Sequence, residues 1–84
     1  MADTNAMTLE DARKVFPPIW TVYRQPADFP HNWVVRCWFG EIPDPHHALC
    51  HSLIEARQFI EQAGGSFCLH RQPGDAASIV ESWI

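Results

Sequence analysis

The stretch "IWTVYRQPADFPHNWVVRCWF", residues 19–39, decides the fold. It contains two runs rich in β-branched and aromatic side chains, "IWTVYRQ" (19–25) and "WVVRCWF" (33–39). Such residues suit a pleated, half-buried surface, because branching at Cβ crowds a helix but packs well on a strand. Between the runs, residues 26–32 hold Pro26 and Pro30, the turn formers Asp28 and Asn32, and Phe29 as an aromatic plug. The pattern predicts a hairpin with a long connection.

Strand side chains alternate between faces. Trp20 and Val22 therefore oppose Ile19, Thr21 and Tyr23, and Trp33, Val35, Cys37 and Phe39 oppose Val34, Arg36 and Trp38. Both sets are greasy, so the sheet is expected to need cover above and below.

Downstream, "GEIPDPHH" (40–47) carries Gly40, Pro43 and Pro45 and reads as a loop, followed by a short strand at about 48–51. The clearest helix is "SLIEARQFIEQAGG" (52–65). Ser52 and Glu55 have capping-box spacing, Leu53, Ala56, Ile60 and Ala63 recur on one face, and Gly64 suits the left-handed cap. "SFCLHRQ" (66–72) alternates as a strand, "PGDAA" turns, and "SIVESWI" (78–84) is a final strand, its Ile79, Glu81 and Trp83 opposite Val80, Ser82 and Ile84. Near the start, Thr8 can cap a short helix whose Leu9, Ala12 and Phe16 share a face, and Pro17-Pro18 ends it.

The expected fold class is α+β: a small antiparallel or mixed sheet of about 4–5 strands, one main helix (about 52–63) on one face, and a short N-terminal helix (about 9–16). Residues 1–7 are expected to be disordered, and 8–84 to form a single domain. The main helix covers one sheet face. The N-terminal helix, or a second copy of the chain, is expected to shield the other.

With 84 residues the chain is near the lower size at which one core holds a fold without staples, and its four Trp help by burying large rings. Six Lys and Arg against ten Asp and Glu leave a net charge of −4 and no basic block, which disfavours nucleic acid and anionic membrane surfaces. No apolar run approaches a membrane span, and "MADTNAMTLEDARK" has no signal-peptide core. Cys37, Cys50 and Cys68 are odd in number and irregular in spacing, so they do not outline a disulfide framework. Together these features point to a cytoplasmic protein with reduced thiols.

The most chemically loaded run is "HHALCH" (46–51), and Cys68 and His70 follow later. In extended chain His46 and Cys50 share a side, as do Cys68 and His70. If Leu49, Phe67 and Leu69 face the core and the two strands are neighbours, His46, Cys50, Cys68 and His70 form a candidate zinc site. The spacing matches no standard zinc motif. A nucleophilic cysteine needs an electropositive, partly exposed pocket, which no pattern here predicts. "AGGSF" runs from helix to strand, the reverse of a phosphate-cradling loop. Glu41, Asp44 and Asp75 read as solvated loop charges. No catalytic constellation and no cofactor motif is legible.

The main expectation is therefore a non-enzymatic interaction module that uses an aromatic sheet face to hold a protein partner or form a homodimer. The candidate surface is Tyr23, Arg36, Trp38, Glu81 and Trp83, aromatics mixed with charge as in contact surfaces.

At "IWTVYRQPADFPHNWVVRCW" and again at "IVESWI", the chain resembles small uncharacterised bacterial proteins that open with an Ile-Trp-x-x-Tyr strand, continue with Pro-x-Asp-Phe-Pro, and close with Ile-Val-Glu-x-Trp. The likeness covers most of 19–84. It implies a compact bacterial cytosolic domain and carries over no catalytic or binding residue. "HHALCH" is not part of it.

Overall fold

A computed structural model describes residues 7–84. The expectation for 1–7 thus falls almost entirely outside the described residues; Met7 itself is exposed. The fold is the expected small α+β domain. In chain order the elements are α1 (Leu9–Val15), β1 (Pro18–Arg24), β2 (Trp33–Phe39), β3 (Ile42–Cys50), α2 (Leu53–Ala63), β4 (Cys68–His70) and β5 (Ile79–Trp83). The strands form one sheet in the order β3-β2-β1-β5-β4, and every neighbouring pair is antiparallel.

The local signals explain both helices. The Ser52 hydroxyl accepts from the Glu55 backbone N–H at 3.1 Å, and Gly64 ends α2 in the left-handed region at φ 115°. The Thr8 hydroxyl caps α1 by accepting from the Asp11 N–H at 3.1 Å. Ala56 and Ile60 of α2 are fully enclosed against Trp20, Val22, Val35, Cys50 and Trp83. Burying a side chain such as Ile60 is worth about 1.5–3 kcal/mol. Gly65 is required beside it, because a Cβ there would lie 2.3 Å from Ile60 Cγ2 and 3.3 Å from Trp20.

The segment 40–47 departs from the loop expectation. The chain turns tightly at Gly40-Glu41 and re-enters the sheet at Ile42, so β3 has nine residues and includes Pro43 and Pro45. Prolines are tolerated because β3 is an edge strand whose outer N–H groups have no ladder partner to serve. The register breaks between Arg36–His47 and Trp38–Pro43, and Asp44, Pro45 and His46 bulge there opposite Cys37.

α1 does not cover the second sheet face. Its Arg13 guanidinium sits 5.6 Å above the Phe39 ring and donates to Asp44 at 2.7 Å, and Phe16 packs on Gly40. Phe39 shares the side of Cys37 and Trp20, which is the side of α2. Only Phe16 and Pro17 separate α1 from β1. So short a link keeps the helix near the start of β1, and the contacts of Arg13 and Phe16 hold it beside the β2–β3 turn.

Candidate functional site: the open sheet face

The register assigns each side chain to a face. Trp20 pairs with Cys37 and Trp83, and Cys68 pairs with Trp83, so these four make one transverse row under α2. Val35, Val22, Glu81 and His70 make the next row on that side. The opposite face carries Trp38, Ile19, Arg36, Thr21, Ser82, Val34 and Tyr23.

Of the expected contact residues, Tyr23, Arg36 and Trp38 lie on this second face, and Glu81 and Trp83 do not. Trp83 is a core residue, and Glu81 is 3% exposed on the α2 side. The pairing of β5 with β1, Trp20 to Trp83 and Val22 to Glu81, sets this phase. The alternation of an isolated strand does not reveal it. The buried carboxylate is fully served: Arg57 Nε donates to Oε2 at 3.0 Å, Arg57 Nη2 to Oε1 at 2.7 Å, and Trp83 Nε1 to Oε2 at 2.8 Å. These donors, Arg57 first, hold the Glu81 carboxyl below the usual carboxylate range against the opposing effect of burial. The group is a clamp between α2 and β5.

The zinc candidates are divided between two places. Cys50 is on β3 and Cys68 and His70 are on β4, the opposite edges of the sheet with three strands between them. His46 stands on the bulge with its side chain in solvent and its ring bonded to Asp44 at 3.2 Å. The core assumption behind the site is also reversed. Leu49, Phe67 and Leu69 are exposed, and Cys50 is buried in the core. Among the described residues no group of three or more His, Cys, Asp or Glu side chains converges as a metal site. All three cysteines are free thiols, and burial pushes each of them up from the ordinary range. Asp44 is likewise not a solvated loop charge. Its side chain is 15% exposed between Arg13 and His46, and hydrogen bonds, led by the His46 backbone N–H, hold it below the usual carboxylate range.

The second face has two unlike halves. One lies under long connections. Residues 25–32 close through the bond from Gln25 N–H to the Asn32 carbonyl at 3.0 Å, Asp28 pairs with Arg36, and the Phe29 ring stands edge-on to His47 with centroids 5.0 Å apart. Arg36 in turn lies 5.4 Å over the Tyr23 ring. The Arg24 N–H donates to the Ser78 carbonyl at 2.8 Å, which brings the 72–78 turn to the same end. Val34 is fully buried there. The burial that raises the Tyr23 hydroxyl, against the pull of Arg36, belongs to this covered half.

The other half carries no helix and no connection among the described residues. Trp38 pairs with Ile19. One step beyond the Trp20–Trp83 pair, the register sets Ile84 beside Ile19, and Ile84 and Phe67 exchange both backbone hydrogen bonds at 2.9 and 3.0 Å. The result is a transverse row, Trp38–Ile19–Ile84–Phe67. Phe67 is 58% exposed and Ile84 49%, Leu69 stands exposed beside them, and Trp38 and Ile19 are half-buried. Ile19, Ile84 and Phe67 were not among the residues expected from sequence, because Phe67 reads as core and nothing local shows that β4 closes the sheet next to β5.

Comparison with protein-family models, curated proteins and solved structures finds no match for this chain. No helix among the described residues is long and apolar enough to cross a membrane.

Proposed function

We propose that this chain is a small non-enzymatic protein-interaction module, that the open half of its sheet is the contact surface, and that a second copy of the chain is the occupant. The row Trp38–Ile19–Ile84–Phe67 carries this reading. Contiguous exposed apolar side chains rimmed by polar ones mark contact surfaces, and aromatic residues are enriched in them. The row also reads the same in kind from either end, aromatic–Ile–Ile–aromatic. A two-fold axis lying between two such faces sets aromatic on aromatic and Ile on Ile, whether it runs along the row or along the strands. That self-complementarity is what an isologous interface requires. In the adjoining row Arg36, held by Asp28, supplies a polar edge, and Thr21 is buried beside it.

The net charge of −4 disfavours nucleic acid as the partner, and three unpaired thiols favour a reducing, cytosolic setting. The test is sedimentation equilibrium across a wide concentration range. The expected result is a reversible dimer that Phe67→Ser and Trp38→Ala weaken without unfolding the chain. A monomer at every concentration, or a dimer indifferent to both substitutions, overturns the proposal.

A further inference from the structure

A second concave feature lies on the opposite side of the sheet, beside α2. It is a cleft of about 360 Å³, walled by Trp20, Val35, Cys37 and Ala48 from the sheet and by Phe59 from the helix. That volume sits at the small end of ligand-binding cavities, and apolar walls with a few convergent polar groups are their usual construction. The polar lining consists of Asp44, His46 and His47, and Arg13 is not part of it. Arg13 bonds Asp44 Oδ2 at 2.7 Å, while Oδ1 accepts from the His46 N–H at 2.9 Å. The His46 ring Nδ1 also lies 3.2 Å from Oδ1. A carboxylate has about four acceptor sites, so Oδ2 keeps capacity for one more donor.

We propose that this cleft binds a small apolar amine, one ring or a short chain bearing an ammonium, with the apolar part between Trp20 and Phe59 and the ammonium donating to Asp44. The carboxylate end selects a donor over an acceptor. The Arg13–Asp44–His46 contacts fix that carboxylate in advance, so little ordering is left for binding. The net charge of −4 favours approach of a cation. The Cys37 thiol in the wall serves as a built-in reporter of occupancy.

The experiment is titration calorimetry of the full chain with three isosteric probes: phenethylamine, 2-phenylethanol and phenylacetate. Phenethylamine is expected to bind about tenfold tighter than the alcohol, as a charge-assisted hydrogen bond implies, with phenylacetate weakest. Asp44→Asn is expected to erase the preference, and phenethylamine to slow alkylation of Cys37 by N-ethylmaleimide. Ala48→Phe fills the cleft and is expected to abolish binding of all three; if that variant does not fold, the probe order and Cys37 protection decide alone. Equal affinities, a preference for phenylacetate, no heat at millimolar probe, or Cys37 alkylation unchanged by phenethylamine overturns the proposal. The cleft and the open row lie on opposite sides of the sheet, so either can fail without the other.

Discussion

Arg57 grips Glu81 with two parallel hydrogen bonds, Nε to Oε2 at 3.0 Å and Nη2 to Oε1 at 2.7 Å, and thereby ties α2 to β5 across the core. The carboxylate is enclosed and the guanidinium is half-exposed. Arg57→Ala leaves that carboxylate with Trp83 as its remaining side-chain nitrogen donor. The expected destabilisation is about 1–3 kcal/mol, below the full cost of breaking a buried pair because solvent reaches Arg57. Urea denaturation of the variant at pH 7 measures it.

The same pair sets an acid limb. The Glu81 carboxyl is held below its ordinary value of 4.5, so the folded state binds fewer protons than the unfolded state. Its contribution is complete above about pH 4.5 and fades as pH falls through the lower folded value. Denaturation midpoints between pH 7 and pH 3 should fall along that limb, and Glu81→Gln should flatten it. An equally steep limb in Glu81→Gln would show that other carboxylates govern acid unfolding.

Gly65 and Ile60 should be energetically coupled. Gly65→Ala drives a methyl to 2.3 Å from Ile60 Cγ2 and should destabilise by about 1–3 kcal/mol. Ile60→Ala alone should cost about 2–5 kcal/mol through the cavity it leaves. In the double variant the 2.3 Å contact with Cγ2 is gone, so the combined cost should be less than the sum of the two separate values. Four denaturation curves close the cycle.

Trp83 and Phe67 should respond oppositely. Trp83→Phe removes a donor to a buried carboxylate and should cost about 1–3 kcal/mol in stability. Phe67→Ser, on the open row with Trp38, should leave monomer stability within about 0.5 kcal/mol, the range of surface substitutions. Thermal melts at a concentration where the chain is monomeric separate the two.

All three thiols are pushed upward from the ordinary thiol range, burial being the first cause for each. Alkylation by iodoacetamide should therefore rise steadily through pH 9 with no thiolate plateau near neutrality. Cys50, enclosed in the core, should react last. Rates followed by mass spectrometry between pH 6 and pH 10 check both points.

The helices were legible because their signals are local. The Ser52 and Thr8 caps, the Leu53–Ala56–Ile60 stripe and Gly64 each act within a few residues, and all appear where their spacing sets them. The hairpin strands were legible for the same reason, since β-branched and aromatic runs favour extended chain whatever lies beside them. The extent of β3 was hidden, because Pro43 and Pro45 are acceptable in a strand only if it is an edge, and edges are a property of the sheet.

The sequence by itself determined both helices and the two hairpin strands, that the sheet has two apolar faces, and that no block of charge dominates the composition. The tertiary structure alone decided that Glu81 and Trp83 point under α2, that Cys50 and Cys68 stand on opposite edges, and that Trp38 and Ile19 of the sheet align with Ile84 and Phe67 just beyond the bounds of β5 and β4. The reason is that alternation fixes side chains only relative to their own strand. Which strands meet, and in which register, depends on contacts between residues far apart in the chain, as between Trp20 and Trp83.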